Sequence, residues 1–253
     1  VTKDGSAMSK SKGNIVDPDE ILKKFGADAL RLFIIFASPP DREFAWAEEG
    51  LEGSYRFLVR VWTIVHENLD VFAGGAPGLP NDPPAGGSID RVLRKMHQTI
   101  KKVGGDIEVR FHLNTAVSSI MELYNLVRKE TGALRQSAEG KAVLRSALEA
   151  LVQLLSPFSP HIAEELWEKT GHAEILIRTP WPAFDPALAR EEMVTIVVQV
   201  NGKVRDKFEA VRELSDKELE REALRLPKVR AALGGRPARK VICVKDKLVS
   251  IVI

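Results

Sequence analysis

Most of the chain places apolar residues at three- and four-residue steps, the spacing of amphipathic α-helices. The clearest stretches predict helices at 48–69, 88–103, 110–130 and 138–155, and then a short helix before Gly171. The inward positions expected in the first two helices are Leu51, Tyr55, Leu58, Trp62, Val65 and Leu69, and Ile89, Leu93, Met96, Ile100 and Val103. Repeated helices of this length predict an α-helical bundle.

The boundaries of these helices are predicted by residues that start or stop a helix. Ser88 is the expected N-cap of its helix, and Gly104 and Gly105 are expected to end it. The five Gly and four Pro within 74–87 predict a loop between the first two helices of the bundle.

The first forty residues predict a loop followed by two short helices. Asp17 suits an N-cap and Pro18 the first helical position, so a helix is expected over 18–25, ended by Gly26. Asp28 should cap a second helix to about residue 37. Its expected buried face consists of Leu30, Phe33, Ile34 and Ala37. The segment is too small to be a domain alone and needs further polypeptide to cover it.

Near the C-terminus the apolar period changes to two, which is typical of β-strands. A Pro- and Ala-rich stretch at 180–191 reads as the linker before this change. The expected elements are strands at 195–200 and 203–209 about a type I′ turn at Asn201 and Gly202, a helix capped by Ser215, a short helix opened by Pro227, and a hairpin about Asp246 and Lys247. This order predicts a compact α+β module.

Composition narrows the class of protein. The 253 residues are 44% hydrophobic and 28% charged, as in an ordinary globular protein, and no apolar run has the length of a membrane span. The single Cys243 excludes an intrachain disulfide, so a cytoplasmic location is the default expectation. Because the chain begins at Val1 and its first Met is Met8, we expect a piece of a longer protein or a processed subunit.

Charge is distributed unevenly. The α+β module, taken as 192–253, carries 14 Lys/Arg against 9 Asp/Glu, a net of +5, whereas the rest carries 23 against 26. Lys203, Arg205 and Lys207 alternate along one strand and are expected to share a face, opposite Val204 and Phe208. A basic face without interleaved aromatic residues favours the phosphates of a folded RNA. Charge alone leaves open the alternative of a merely solvated surface.

The candidate for chemistry is the stretch Ala7-Met8-Ser9-Lys10-Ser11-Lys12-Gly13-Asn14. Ser and Gly keep such a backbone mobile, and the two Lys carry ammonium groups on long stems. The loop is therefore suited to closing on a polyphosphate and neutralising charge as pyrophosphate leaves. A solvated Lys/Ser turn is the plainer alternative.

A metal site is not expected. His161 and Glu165 have the i, i+4 spacing of a metal-binding pair, but no third ligand follows at a suitable distance. The remaining His residues are scattered singly, and no arrangement of Ser, His and Asp or of Cys and His indicates nucleophilic catalysis.

Met8 to Asn14, followed by Asp17 and Pro18, resembles the Lys-Met-Ser-Lys-Ser loop of class I aminoacyl-tRNA synthetases, with Ala7 in place of the first Lys. The agreement continues through 26–31 and 36–39. The stretch 198–205, followed by 239–242 and 247–249, resembles the small C-terminal domain of the leucyl branch. Taken together, nearly the whole chain is similar to the C-terminal part of bacterial leucyl-tRNA synthetases.

The resemblance implies a mainly α fold in three parts: the tail of a class I catalytic domain at 1–40, an anticodon-binding-type helical bundle at 41–187 and a small α+β tRNA-binding domain at 192–253. It implies that Met8, Ser9, Lys10 and Ser11 contact ATP, with Lys10 stabilising the triphosphate as it breaks. ATP would be a substrate bound with Mg²⁺, mostly by residues outside this chain. The expected tRNA contacts are Arg56, Arg60, Lys203, Arg205, Arg239, Lys240, Lys245 and Lys247.

The implied partners are tRNA(Leu) and an N-terminal catalytic and editing portion, joined covalently or supplied as a separate subunit; no membrane partner is implied. None of the five His begins the family's His-x-Gly-His motif, so we expect no leucyl-adenylate from this chain alone. Three alternatives stay open: a catalytically silent tRNA-binding module or subunit, another class I synthetase of the Ile/Val/Met group, and a purely structural helical scaffold. Because Ala7 stands where the family has its first Lys, a loop that stabilises the transition state less strongly also stays open.

Overall fold

The computed structural model describes residues 1–3, 5–74, 78–80, 85–190, 193–211 and 214–253. The chain divides into two compact units, Val1–Ala189 and Arg190–Ile253, each with its own hydrophobic core. Half of the predicted loop at 74–87, namely residues 75–77 and 81–84, and residue 191 of the predicted linker lie outside the described residues. No helix in the described part of the chain is long and apolar enough to cross a membrane.

The first unit is a helical bundle, as the apolar period predicts. Its elements are β1 (Thr2–Lys3), β2 (Ser6–Ala7), α1 (Pro18–Ala37), α2 (Glu48–His66), α3 (Ser88–Gly105), α4 (Leu113–Leu134), α5 (Ala138–Leu155) and α6 (Pro160–Lys169). Single helical turns lie at Lys10–Lys12, Leu69–Phe72 and Leu176–Arg178, and a π-helical turn at Asp106–Arg110. The middle of the core is formed by α3, α4 and α5, whose fully buried side chains include Leu93, Ile120, Leu144, Leu148 and Leu151.

Helix α2 buries Leu51, Leu58 and Val65, as predicted, but its buried face is wider than predicted and does not include Tyr55. Tyr55 is 42% exposed, whereas Phe57, Val61 and Ile64 are buried. Because α2 is apolar on more than one side, its sequence alone does not fix how far the buried face extends. Packing against α4 extends it to Phe57, whose ring meets that of Tyr124 edge to face, with centroids 5.6 Å apart.

The predicted ends of α3 are wrong. Ser88 is not its N-cap but lies in its first turn, where Ser88 Oγ donates to Glu130 Oε2 of α4 at 2.6 Å. Gly104 and Gly105 do not end the helix, which runs through them into the π-helical turn. A Cβ at Gly104 would lie 3.4 Å from Trp181 Nε1, and one at Gly105 would lie 3.2 Å from the Arg110 guanidinium. The glycines therefore allow side chains to approach the helix closely instead of terminating it.

In the second unit two helices pack on a four-stranded sheet. Its elements are β3 (Met193–Val200), β4 (Lys203–Val211), α7 (Asp216–Arg225), α8 (Pro227–Leu233), β5 (Lys240–Val244) and β6 (Leu248–Val252). The sheet order is β4-β3-β6-β5, in which β3 and β6 are parallel and the other pairs antiparallel. Asn201 and Gly202 have φ values of 50° and 76°, as the predicted type I′ turn requires. Ser215 and Glu218 form a capping box at the start of α7.

A bulge in β4 changes which side chains share a face. Val198 pairs with Asp206 but Gln199 pairs with Val204, so Arg205 is an extra residue in the strand. Because directly paired residues point to the same side, Val204 and Lys207 lie on the outer face, and Val204 is 62% exposed. The prediction that the three cations share one face opposite Val204 is wrong, since Lys203 pairs with the buried Val200. Phe208, which pairs with the buried Ile196, does lie opposite Lys207, as predicted.

Candidate nucleotide loop and RNA-binding surfaces

The Lys10 loop, residues 6–14, is held together by one side chain. Asn14 Oδ1 accepts from the Ser9 N–H at 2.9 Å, while Asn14 Nδ2 donates to Ser6 Oγ at 3.0 Å and to the Ala7 carbonyl at 3.3 Å. The amide of Asn14 thus satisfies backbone and side-chain groups on both sides of Met8. The loop therefore has a defined base from which its tip projects.

The loop's base is also tied to the segment before α2. The Thr2 N–H donates to the Phe44 carbonyl at 3.0 Å, and the Trp46 N–H donates to the Thr2 carbonyl at 2.7 Å. Met8 is half-buried and lines an apolar cavity of about 190 Å³ together with Val16 and apolar side chains of α1 such as Ile21 and Leu30. Of the residues predicted to bind ATP, Met8 therefore lies against apolar side chains of this chain.

The tip of the loop presents its cations outward. Lys10–Lys12 forms a single helical turn that ends at Gly13, which has a left-handed φ of 63°. Lys10, Ser11 and Lys12 are exposed, and Ser9 Oγ lies 3.2 Å from Ser11 Oγ. Within the described residues no carboxylate pairs with Lys10 or Lys12. Two ammonium groups and two hydroxyls are therefore available to an anion that approaches from outside.

Behind the loop, Asp28 joins α1 to α6. Gly26 has φ 81° and ψ 165° and breaks α1 at that point, as its predicted helix-ending role requires. The Asp28 carboxylate then accepts from the Ile162 N–H at 2.7 Å and the His161 N–H at 3.4 Å, and lies 2.9 Å from His161 Nδ1. These N–H groups belong to the first turn of α6, which Pro160 opens. We call this set of contacts the Asp28 joint.

The prediction that Asp28 caps its own helix is wrong: its carboxylate accepts instead from N–H groups in the first turn of α6, which have no partner within that helix. Two further contacts strengthen the joint: Arg31 donates to the Pro157 carbonyl at 3.2 Å and Ser159 Oγ to the Asp28 carbonyl at 3.4 Å. Sequence reasoning missed this link, since its partners are more than 120 residues apart. The helix that follows the Lys10 loop is thereby anchored to the bundle.

An apolar groove of about 650 Å³ opens beside the Asp28 joint, between α1, α2 and α6. Tyr55 and Trp62, which were predicted to be core residues, line it, and Tyr55 meets Phe25 edge to face at 5.7 Å. Arg56 and Arg60 lie on the exposed surface of α2, where Arg56 Nη1 is 3.9 Å from Glu52 Oε2. The arginines on α2 are thus accessible to a polyanion.

The predicted RNA-binding cations of the second unit fall into two groups. β3 and β6 are parallel, and each is antiparallel to its other neighbour, β4 or β5. The starts of β4 and β5 therefore lie at the same end of the sheet, where β3 and β6 end. Asn201 N–H donates to the Ile251 carbonyl at 2.9 Å and Arg239 N–H to the Val252 carbonyl at 2.8 Å, which places both segments beside the end of β6. This end carries the exposed side chains of Lys203, Arg205, Arg239 and Lys240. The exposed Lys245 and Lys247 lie at the opposite end, in the turn between β5 and β6.

The pair at His161 and Glu165 does not come together as a metal site. His161 Nδ1 faces Asp28, and Glu165 pairs with Lys169 at 3.0 Å. In the ranges that the structure describes, no group of three or more His, Cys, Asp or Glu is arranged to hold a metal ion.

Comparison with protein families gives two matches. The model of the anticodon-binding domain of tRNA ligase matches residues 90–220, about half of the chain. The model of class I tRNA synthetases (I, L, M and V) matches residues 1–47, which contain the Lys10 loop.

Curated relatives and solved structures agree with these matches. The leucine–tRNA ligases of Geobacter sp. (strain M21) and Desulfatibacillum aliphaticivorans are 45% and 47% identical over 253 and 249 residues, or 100% and 97% of this chain. The chain spans only 30% and 28% of their lengths. The LeuRS of Agrobacterium radiobacter K84, solved as a ternary complex with tRNA and LeuAMS, matches with TM-score 0.76 and 31% identity, over 98% of this chain and 32% of that one.

A more distant structure shares the fold alone. The methionyl-tRNA synthetase of Mycobacterium tuberculosis, in complex with methionyl-adenylate, matches 64% of this chain and 35% of its own with TM-score 0.53 at 19% identity. The leucine–tRNA ligases, in contrast, match this chain from end to end, which supports the leucyl assignment over an Ile-, Val- or Met-type sequence. The chain therefore belongs to the family of tRNA-ligase anticodon-binding domains, and its sequence matches the C-terminal part of leucine–tRNA ligases.

Proposed function

We propose that this chain is the C-terminal portion of a leucine–tRNA ligase, which joins leucine to ATP as leucyl-adenylate and then transfers leucine to tRNA(Leu). The observation that carries the proposal is the outward-facing Lys10 at the tip of an Asn14-held loop, in a chain 45% identical to leucine–tRNA ligases over 253 residues. The catalytic and editing portion comes from polypeptide outside this chain. The ligase works in the cytoplasm, as the single cysteine suggests.

Within this function each part of the chain has its own task. Residues 1–40 complete the catalytic domain with the ATP-closing loop, residues 41–187 dock along the tRNA, and residues 192–253 hold the tRNA through phosphates and sugars. The match of the class I synthetase model to residues 1–47, the separate compact unit that begins at Arg190 and the uneven charge support this division. Arg56 and Arg60 on α2 and the cations of the second unit are the proposed tRNA contacts.

The chemical step requires negative charge to be neutralised at a leaving group. The leucine carboxylate attacks the α-phosphorus of ATP, the bond from that phosphorus to the bridging oxygen breaks, and pyrophosphate leaves. Lys10, with Met8, Ser9 and Ser11 around it, closes over the triphosphate and stabilises the charge that develops. Mg²⁺ accompanies ATP as part of the substrate and is held mostly outside this chain. With Ala7 in place of a first Lys, Lys10 carries more of this task.

Lys10→Ala tests the catalytic role, and Lys12→Ala is the matched control in the same exposed turn. In the complete protein we expect Lys10→Ala to lower the rate constant of leucine-dependent pyrophosphate exchange by about 100-fold, because a transition-state contact is lost. Lys12→Ala should change it only a few-fold, and neither variant should change the affinity for tRNA(Leu). A catalytically silent tRNA-binding module predicts no exchange in any of the three proteins.

The isolated chain provides a second check of the same proposal. Without the upstream portion it should show no pyrophosphate exchange above a Lys10→Ala control, and mixing it with a separately prepared catalytic portion should restore leucylation. Exchange by the isolated wild-type chain, clearly above that control, would contradict the assignment of the nucleotide pocket to polypeptide outside it.

The basic end of the sheet is tested by changing Lys203, Arg205, Arg239 and Lys240 together to Ala. We expect each lost phosphate contact to weaken tRNA binding by about 1 kcal/mol and to make the salt dependence of log K shallower by about one unit. Changing four cations on α7 and α8, namely Lys217, Arg221, Arg225 and Lys228, removes the same charge as a control. Equal effects of the two quadruple variants would show a general charge effect, and tRNA binding with no salt dependence would favour a structural scaffold.

A further inference from the structure

The turn between α3 and α4, residues 106–112, has an unusual backbone. Asp106–Arg110 forms a π-helical turn, and the His112 N–H closes it by donating to the Asp106 carbonyl at 2.9 Å. Phe111 then adopts a left-handed conformation, with φ 54° and ψ 34°. π-Helical turns are rare and occur frequently at functional sites. We call this segment the Phe111 turn.

A buried carboxylate makes the Phe111 turn rigid. The side chain of Asp106 is 2% exposed and is contacted by Thr115 Oγ1 at 2.7 Å, Lys102 Nζ at 3.0 Å and Arg110 Nε at 2.9 Å. Burial by itself raises the pKa of Asp106, but the hydrogen bonds from Thr115 and Lys102 and the two neighbouring cations outweigh it and lower the pKa. The carboxylate is therefore ionised at neutral pH, and it links side chains from α3, from the π-helical turn and from α4.

This rigid turn points two apolar side chains into solvent. Val109 is 81% exposed and Phe111 is 61% exposed, so neither contributes much to the core. The left-handed region is unfavourable for a bulky aromatic residue, whereas Gly or Asn adopts it readily. The chain thus places an exposed ring where the backbone favours a small residue, and the fold by itself does not require that ring.

We propose that Phe111 is a stacking platform for an unpaired base of the bound RNA, which rests on the tRNA-binding function proposed above. Arg110 and His112, the neighbours of Phe111 in the chain, are exposed, as are Lys101 and Lys102 near the end of α3, and Glu108 is the exposed carboxylate of the turn. An exposed aromatic ring in a turn that also carries exposed cations fits a base and its phosphate. An apolar protein partner would use Val109 as much as Phe111, and that difference can be measured.

The test compares variants at position 111 in the complete protein. Phe111→Asn removes the ring but suits the left-handed backbone, so Tm should stay the same or rise. The affinity for tRNA(Leu) should fall by about 5- to 150-fold at every salt concentration, with the slope of log K against log salt unchanged, because stacking releases no counterions. Phe111→Trp should retain the wild-type affinity.

Val109→Thr is the matched control, and each failure has a distinct meaning. It should leave tRNA affinity within about two-fold of the wild type, since no stacking is lost. Wild-type affinity in Phe111→Asn, a changed salt slope, a lowered Tm, or an equal loss in Val109→Thr would each overturn the stacking role. Failure of the wild-type protein to bind tRNA would instead overturn the proposed function.

Discussion

Replacing Gly140 with Ala should lower the free energy of unfolding by about 3 kcal/mol, because a side chain would be forced into a backbone group. A Cβ added at Gly140 would lie 2.1 Å from the carbonyl oxygen of Leu134, 2.9 Å from its carbonyl carbon and 3.0 Å from its Cα. A backbone carbonyl cannot rotate away as the end of a long side chain can. In addition, the Gly140 N–H donates to Ser137 Oγ, the N-cap of α5, at 3.0 Å, so shifting the residue disturbs the cap.

Gly132→Ala is the matched control for this change. Gly132 lies inside α4, eight positions before Gly140, and a Cβ there would meet no atom within 4 Å. We expect Ala at this position to raise the free energy of unfolding by about 0.5–1 kcal/mol, because Ala loses less backbone entropy than Gly in a helix. Urea unfolding monitored by circular dichroism measures both variants. Equal changes at the two positions would show that the approach of α5 to Leu134 is not close in solution.

The elements that the sequence predicts well are those whose ends are decided by neighbouring residues. Helix α5 spans Ala138–Leu155, as predicted, because the Ser137 side chain caps it and Pro157 follows it. The turn at Asn201 and Gly202 is likewise local chemistry, since both positions need a positive φ. For the same reason the Lys10 loop could be recognised from its residues alone.

Where the prediction was wrong, a distant contact or an inserted residue decides the structure. The alternating pattern of β4 does not reveal the bulge at Arg205. That one extra residue nevertheless moves Val204 to the other face of the sheet. Ser88 and Asp28 were both read as caps of their own helices, but each bonds to another helix, at Glu130 and at His161 and Ile162. Local capping rules cannot identify a partner that folding brings close.

The sequence could have predicted the ion pairs of the Phe111 turn but not its backbone. Lys102, Asp106 and Arg110 are spaced four residues apart, so the sequence could have predicted two ion pairs along one helix face. Nothing in that spacing predicts a π-helical turn or a left-handed Phe111, because both depend on the burial of Asp106 and its bond with Thr115. Exposure of an aromatic ring is likewise visible only in the folded chain.

Asp28→Ala should lower the free energy of unfolding by about 3 kcal/mol, because it leaves two N–H groups of the first turn of α6 without an acceptor. The carboxylate is 11% exposed and takes up the Ile162 and His161 N–H groups, where the partial positive charge of a helix N-terminus stabilises an anion. Removing one partner from a largely buried, charge-assisted contact is strongly destabilising. Since Asp28 follows the Gly26 break in the helix of the Lys10 loop, the same change should also loosen that helix from the bundle.

Two further variants separate backbone capping from the side-chain pair at this joint. The His161 side chain is 76% exposed, so His161→Ala should lower the free energy of unfolding by at most about 0.5 kcal/mol. Asp28→Asn keeps one carbonyl oxygen as an acceptor but loses the charge, so its effect should lie between those of the other two. Denaturant unfolding gives all three values. A loss in His161→Ala as large as in Asp28→Ala would mean that the carboxylate–imidazole pair, and not the capping of α6, holds the two helices together.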